Sequence, residues 1–371
     1  MSSPDITPLS ATYAGARAAF LTAAVSAGAS ISHHVHPLRG PDDEELAVDV
    51  AELGPPTAAH VVVVVSATHG VEGYCGSALQ RHWLEHHSHE RPADVALVMV
   101  HGLNPYGFAW VRRVNEDNVD LNRNFIDWEQ PPPANPDYDS IADLIVPAAW
   151  SEEEQARTLS ALFEVAGRVG LDRMQEIISS GQYTNPTGVF YGGTAPVWSH
   201  RWLRAWGAER LARATHVTII DLHTGLGPWG FGELIGSEAS TTDAHRRAMA
   251  LWGDVTSMVD GDSVSANLFG DWQAAAGQLA PHAEVTATTI EYGTVDTLTV
   301  LQALRADAWL HAHGDPRGAG AAAVRAQVRA AFADDDPAWL RATWPRFTDV
   351  LDRALRATTN IAASSTTGDQ P

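Results

Sequence analysis

His69 and Glu72 stand three residues apart, with Gly70 between them and Gly73 after, just beyond five consecutive valines at 61–65. An imidazole and a carboxylate at this spacing can both face one zinc ion, and two histidines with one glutamate plus water form a recurrent catalytic zinc set. Two further apolar runs end in the same way. Residues 217–222 lead into His223-Thr224-Gly225, and residues 285–290 lead into Glu291-Tyr292-Gly293. Three apolar runs that each deliver a metal-competent or acid-base residue to their C-terminal ends point to a catalytic crevice rather than to three unrelated core positions.

Those runs must be strands for the residues to meet. The valines are too few to span a bilayer and too uniformly apolar to face water, so they predict a central parallel strand buried on both faces. Residues 11–27 read as an alanine-rich helix and 46–53 as a strand, both leading into the valine run. After the His-Glu turn, 77–87 has helical spacing and 95–100 reads as another buried strand, completing a β-turn-α-β unit by His101. Residues 104–125 show no sustained period and predict a long ordered loop, which in a domain of this kind is usually functional. A proline-rich stretch at 130–136 precedes helices at 152–169 and 171–179, a glycine-punctuated stretch at 181–193, and a helix at 199–214. Helices at 298–311, 319–332 and 339–358 complete the scaffold. The tryptophans at 198, 202 and 206 fall at core spacing for a helix.

Composition narrows the class. A net charge of −21 over 371 residues argues against nucleic-acid or anionic-membrane partners. The chain has no lysine, which excludes Schiff-base and pyridoxal-phosphate chemistry on its own side chains. One cysteine, Cys75, forms no internal disulfide. With no signal-peptide pattern or long apolar stretch, the expectation is a cytoplasmic protein. Its oligomeric state is not readable from composition.

The motifs His69-Gly70-Val71-Glu72, Val119-Asp120-Leu121-Asn122-Arg123-Asn124-Phe125, Asp221-Leu222-His223-Thr224 and Glu291 at the end of a late strand resemble the zinc carboxypeptidase superfamily in order and spacing. The likeness covers residues 61–293 and is more with a bacterial subgroup than with the digestive enzymes. More distantly, the chain is similar to succinylglutamate desuccinylase and aspartoacylase. The resemblance implies an α/β fold with a mixed, mostly parallel eight-stranded twisted sheet and helices on both faces. It implies one domain over 1–363, with 127–200 as an insertion that could cover the site and a frayed tail at 364–371. It also implies one catalytic Zn²⁺ per chain, held by His69, Glu72 and His223, the last arriving 151 residues after Glu72.

By the same resemblance Glu291 is the general base and Arg113 stabilises the oxyanion, with Arg112 the competing choice. Asn122 and Arg123 would bind a substrate carboxylate, the guanidinium as a bidentate fork. The implied function is hydrolysis of an amide bond in a short peptide or other small molecule with a free carboxylate. The leading form is carboxypeptidase-like; the alternative is a deacylase of N-acyl amino acids, and a non-catalytic carboxylate-binding relative is the reading from another class. The chain departs from the family in one respect: it has no tyrosine between His223 and Glu291. A substrate-capping tyrosine would come from elsewhere, with Tyr191 first and Tyr183 and Tyr292 behind it.

Blander roles stand beside these. Either histidine alone could be a buried structural residue, Glu291 an ion-pair partner, and Arg112 or Arg113 a surface cation. Cys75 reads as a small buried thiol rather than a fourth ligand, which would close the site. The histidines at 33, 34 and 36 and at 86, 87 and 89 read as solvated surface, and His60 as a strand-edge residue.

Overall fold

Alternate valines of the run face opposite sides of a sheet, and both sides are covered. Val62 and Val64 pack in one apolar cluster with Phe20, Leu79, Trp83 and Phe347. Val61, Val63 and Val65 pack in another with Leu203, Leu211 and Trp272. This is the period-2 geometry of a strand with no solvent face.

A computed structural model describes residues 6–365, with side chains through residue 357. In chain order come α1 (Tyr13–Ser26), β1 (Ser30–Arg39), β2 (Glu45–Leu53), β3 (His60–Ser66), α2 (Gly73–His86), β4 (Val95–His101) and α3 (Pro105–Trp110). Four helices follow: α4 (Pro136–Asp139), α5 (Ala142–Ile145), α6 (Glu152–Val169) and α7 (Leu171–Ser179). Then come α8 (Trp198–Arg210), β5 (His216–Trp229), β6 (Gly232–Gly236), α9 (Asp243–Trp252), β7 (Val255–Ser257) and β8 (Glu284–Gly293). Three helices end the fold, α10 (Thr297–His313), α11 (Ala321–Phe332) and α12 (Pro337–Ser365). Residues 366–371, most of the predicted tail, lie outside the described residues.

The strands form one sheet in the order β1-β2-β4-β3-β5-β8-β6-β7. β3 pairs in parallel with β4 on one side and β5 on the other, and β5 pairs in parallel with β8. The pairs β1/β2, β2/β4 and β6/β8 are antiparallel and β6/β7 is parallel, so the sheet is mixed, as expected. The chain leaves β3 toward β4 and returns to its other side as β5, which makes the C-terminal end of β3 a topological switch point where open α/β sheets form crevices. Ser66 lies level with Leu222, and His223 level with Glu291. The end of β3, His223 and Glu291 therefore lie at one level of the sheet, although β5 runs on to Trp229 and β8 to Gly293, so that His223 and Glu291 stand within their strands and not after them.

Two sequence expectations change here. The histidines at 33, 34 and 36 lie on β1, paired to β2, and are not all solvated: His36 is buried, its Nε2 3.2 Å from Glu116 Oε1. The alternating polar residues of this outer strand hid its pairing. Residues 104–125 are not wholly loop, because Asn104 accepts from the Gly107 N–H at 2.9 Å and starts α3. His60 opens β3, as the strand-edge reading has it, and is buried there, with Nε2 3.0 Å from the Thr218 hydroxyl of the neighbouring strand. Cys75 is a free buried thiol, as read from the sequence, and burial pushes its pKa up. No helix among the described residues is long and apolar enough to cross a membrane.

Candidate metal centre and its cavity

The chain turns sharply after β3, and the turn is fixed by close backbone packing. The N–H groups of Gly70 and Val71 donate to the carbonyls of Arg113 and Arg112 at 3.0 and 2.8 Å. A Cβ on Gly70 would fall 2.0 Å from the carbonyl carbon of Gly107, so no other residue fits without displacing α3. This strapping sets the 112–113 segment directly against the His69–Glu72 turn.

His69, Glu72 and His223 converge, with one ligand atom from each lying within 4.8 Å of the others. His69 Nδ1 is 2.9 Å from Glu72 Oε1, and His223 Nδ1 is 3.1 Å from Glu72 Oε2. The second nitrogen of each ring faces a buried aspartate: His69 Nε2 is 3.2 Å from Asp120 Oδ1, and His223 Nε2 is 2.5 Å from Asp221 Oδ2. Asp221 is itself held by the Thr68 hydroxyl at 2.8 Å and the Trp272 indole N–H at 2.7 Å. With protons on Nε2 directed at the aspartates, both Nδ1 atoms present lone pairs only 3.1 Å apart beside a carboxylate. A cation held between them would satisfy all three groups.

The charged neighbours shift both kinds of group. Burial alone would raise Glu72, yet the two histidines beside it hold it below the usual carboxylate range. Burial would lower His223, but Asp221 and Glu72 hold it well above the ordinary imidazole value. The donor set, one carboxylate and two carboxylate-backed imidazoles, fits a divalent zinc with an open fourth position.

Around this centre lies a cavity of about 410 Å³. Arg113 lines it; its Nη1 donates to Glu72 Oε1 at 2.9 Å and its Nε to Asp120 Oδ2 at 3.0 Å. Glu291 also lines it, with Oε1 accepting from the Leu226 N–H at 2.9 Å. Burial and then the nearby Glu72 carboxylate push Glu291 up to about 7, against an ordinary 4.5. Asn122 and Arg123 reach the same cavity. Arg123 Nε donates to Ser179 O at 3.0 Å and its guanidinium lies 5.1 Å from the Phe190 ring centroid, while Asn122 Oδ1 is buried with no hydrogen-bond partner among the described residues.

Two expected site residues lie elsewhere. Arg112 is buried away from the cavity, donating through Nε to Asp307 Oδ2 at 2.9 Å and through Nη2 to Asn118 Oδ1 at 2.8 Å. Its neighbour Arg113 takes the site position, in an irregular segment whose carbonyls at 112 and 113 are fixed by the N–H groups of Val71 and Gly70. Tyr191 is buried in the apolar cluster under the sheet, and only its carbonyl serves the site, accepting from the Asp120 N–H at 2.8 Å. Tyr183 donates to Arg123 O at 2.6 Å and Tyr292 is buried, so no tyrosine lines the cavity among the described residues. Phe190, at φ 53°, occupies the loop position facing the arginines. Sequence reasoning passed over Asp120 and Asp221 as partners of the histidines. Asp221 had a readable signal, since a residue two before His223 on a strand shares its face.

The arrangement places the chain among known folds. The structure of bovine thrombin-activatable fibrinolysis inhibitor, solved with tick carboxypeptidase inhibitor, superposes with a TM-score of 0.50 at 10% identity, over 94% of this chain and 97% of that one. A carboxypeptidase A from Helicoverpa armigera gives 0.47 at 12% identity over 88% and 74% of the two chains. An aspartoacylase family protein from Mesorhizobium loti gives 0.38 at 16% over 77% and 67%. At these identities the likeness is one of fold alone, and the match over nearly the whole of both chains shows that this mixed α/β fold is a known one. Residues 9–346 match the family described as "Protein of unknown function (DUF2817)", and the chain belongs to that family. No curated protein matches it.

Proposed function

We propose that the protein is a zinc-dependent hydrolase of an amide bond in a small substrate that carries a free carboxylate. The observation that supports this best is the convergence of His69, Glu72 and His223 beside Glu291 and two arginines in one cavity. His69, Glu72 and His223 would hold the metal. Zinc, when bound, supplies Lewis-acid polarisation and lowers the pKa of water to about 7.

The other steps belong to the chain's own groups. Glu291 takes the proton of the attacking water on its carboxylate and returns it to the leaving nitrogen, a role worth ~10²–10⁴-fold in rate. Its raised affinity for a proton suits both halves of that task. Arg113, fixed by Glu72 and Asp120, aims positive charge where the carbonyl oxygen gains negative charge. Arg123 and the side-chain amide N–H of Asn122 receive the substrate carboxylate. Phe190 stacks against both arginines, at 5.5 Å from Arg113 and 5.1 Å from Arg123, and keeps water from them. In this reading residues 127–200 are an insertion into a single domain that roofs the site, since α6 and α7 supply part of the cavity wall.

The test is turnover of Glu291→Gln and Arg123→Ala on a mixed panel of dipeptides and N-acyl amino acids. Glu291→Gln is expected to keep zinc and lose at least ~10²-fold in kcat. Arg123→Ala is expected to lose activity on free carboxylates and not on amidated analogues. Unchanged turnover in the first, or equal loss on both substrate types in the second, removes that residue from its role.

A further inference from the structure

The cavity has two unlike ends. Its polar end holds His69 and His223 with Arg113, Arg123 and Glu291. Much of the remaining wall is helix side chain: Leu162 and Phe163 of α6, Leu171 and Met174 of α7, Leu298 and Leu301 of α10. Leu162, Met174, Val300 and Leu304 share one buried cluster with Phe332, so the three helices close on one another. This wall flanks the whole reacting centre. α7 ends at Ser179, whose carbonyl receives Arg123, and α10 begins four residues after β8 delivers Glu291.

The chemistry of that wall selects its occupant. Helix backbones satisfy their own N–H and C=O groups, so a peptide main chain laid along α6, α7 and α10 would find few partners there, and each unpaired amide would be costly. A polymethylene chain requires none. Phe163 and Leu171, which line the cavity, are 51% and 73% exposed, apolar surface that an apolar substrate would cover.

We infer that the substrate is an N-acyl amino acid with a medium to long aliphatic acyl chain. The amino-acid carboxylate sits at Arg123 and Asn122, the amide at the metal centre, and the acyl chain against α6, α7 and α10. Water adds to the acyl carbon, the C–N bond breaks, and the water proton passes through Glu291 to the amine. The products are one free fatty acid and one free amino acid. This rests on the amide-hydrolase reading above and narrows its substrate class.

The experiment measures kcat/KM of the zinc-loaded protein on one amino acid carrying acetyl, hexanoyl and dodecanoyl groups, beside dipeptides ending in the same residue. Calorimetry follows binding of the same ligands to Glu291→Gln. The expected result is about 4-fold in kcat/KM per methylene until the wall is filled, at least ~10²-fold from acetyl to hexanoyl. The double variant Phe163→Arg, Leu171→Arg, at exposed positions that do not support the core, is expected to flatten this dependence. A series that is flat or falls with length, or dipeptides that outrun every acyl substrate, overturns the inference. If nothing is hydrolysed, binding decides. Tighter binding of dodecanoyl than acetyl keeps the apolar site and removes the hydrolase reading; equal or absent binding removes the site as well.

Discussion

Asp120 ties a metal ligand to a cation: its Oδ1 lies 3.2 Å from His69 Nε2, while its Oδ2 accepts from Arg113 Nε at 3.0 Å. One buried carboxylate thus sets the orientation of the imidazole and of the guanidinium together. Burial would raise its pKa, but Arg113, His69 and Arg123 hold it well below the usual range.

Asp120→Asn keeps the shape and removes the charge. Outer carboxylates of this kind are worth 10–100-fold in metal affinity. The variant is expected to bind zinc at least ~10-fold more weakly in a metal-buffered titration, and to lose kcat even when zinc is saturating because Arg113 is no longer held. Native affinity with native kcat would show that Asp120 is only a structural acid.

The adjacent arginines should separate cleanly. Arg112→Ala strips the partner from the buried Asp307 carboxylate and is expected to cost about 3–5 kcal/mol of stability, read by denaturant unfolding. Activity of its folded fraction stays within a few-fold of native. Arg113→Ala is expected to lower kcat/KM about 10²-fold in the zinc-loaded protein. The opposite assignment predicts the reverse pattern.

Glu291 gives the metal-free protein a distinctive pH dependence. Its folded-state pKa is about 7 against 4.5 for the ordinary group, so the folded state holds this proton more tightly than the unfolded chain. Stability on this account is highest below pH 4.5 and declines as pH rises to about 7. Glu291→Gln, which resembles the protonated acid, is therefore expected to stabilise the metal-free protein at pH 8 by on the order of 3 kcal/mol, the difference vanishing toward pH 4. Thermal melts across that range check it. A variant less stable at pH 8 would mean that Glu291 is held as an anion by partners other than zinc.

The parts of this fold that sequence made legible were those with unambiguous periods. The valine strand, α6 and α7 were read with nearly their true bounds because burial on both faces, or a cap followed by amphipathic spacing, leaves a strong pattern, whereas β5 runs on past His223 to Trp229 and β8 past Glu291 to Gly293. β1 was missed because an outer strand with polar alternation resembles a solvated histidine tract. β6 and β7 are short and gain their order from β8, a tertiary effect without local signal. At the site, motifs identified the ligands, but the choice between Arg112 and Arg113, and between Tyr191 and Phe190, depends on the direction a side chain leaves an irregular segment. Spacing does not encode that direction. Backbone bonds from the His69–Glu72 turn and from Asp120 do.

The most direct test of the central claim is metal content of the purified protein by elemental mass spectrometry, before and after chelation, read together with hydrolysis of the mixed amide panel. The account predicts about one zinc per chain, activity abolished by the chelator and restored by added zinc, and zinc lost when His69 or His223 is replaced by alanine. A chain that takes up no zinc after reconstitution, or that hydrolyses the panel equally well without it, would contradict the account.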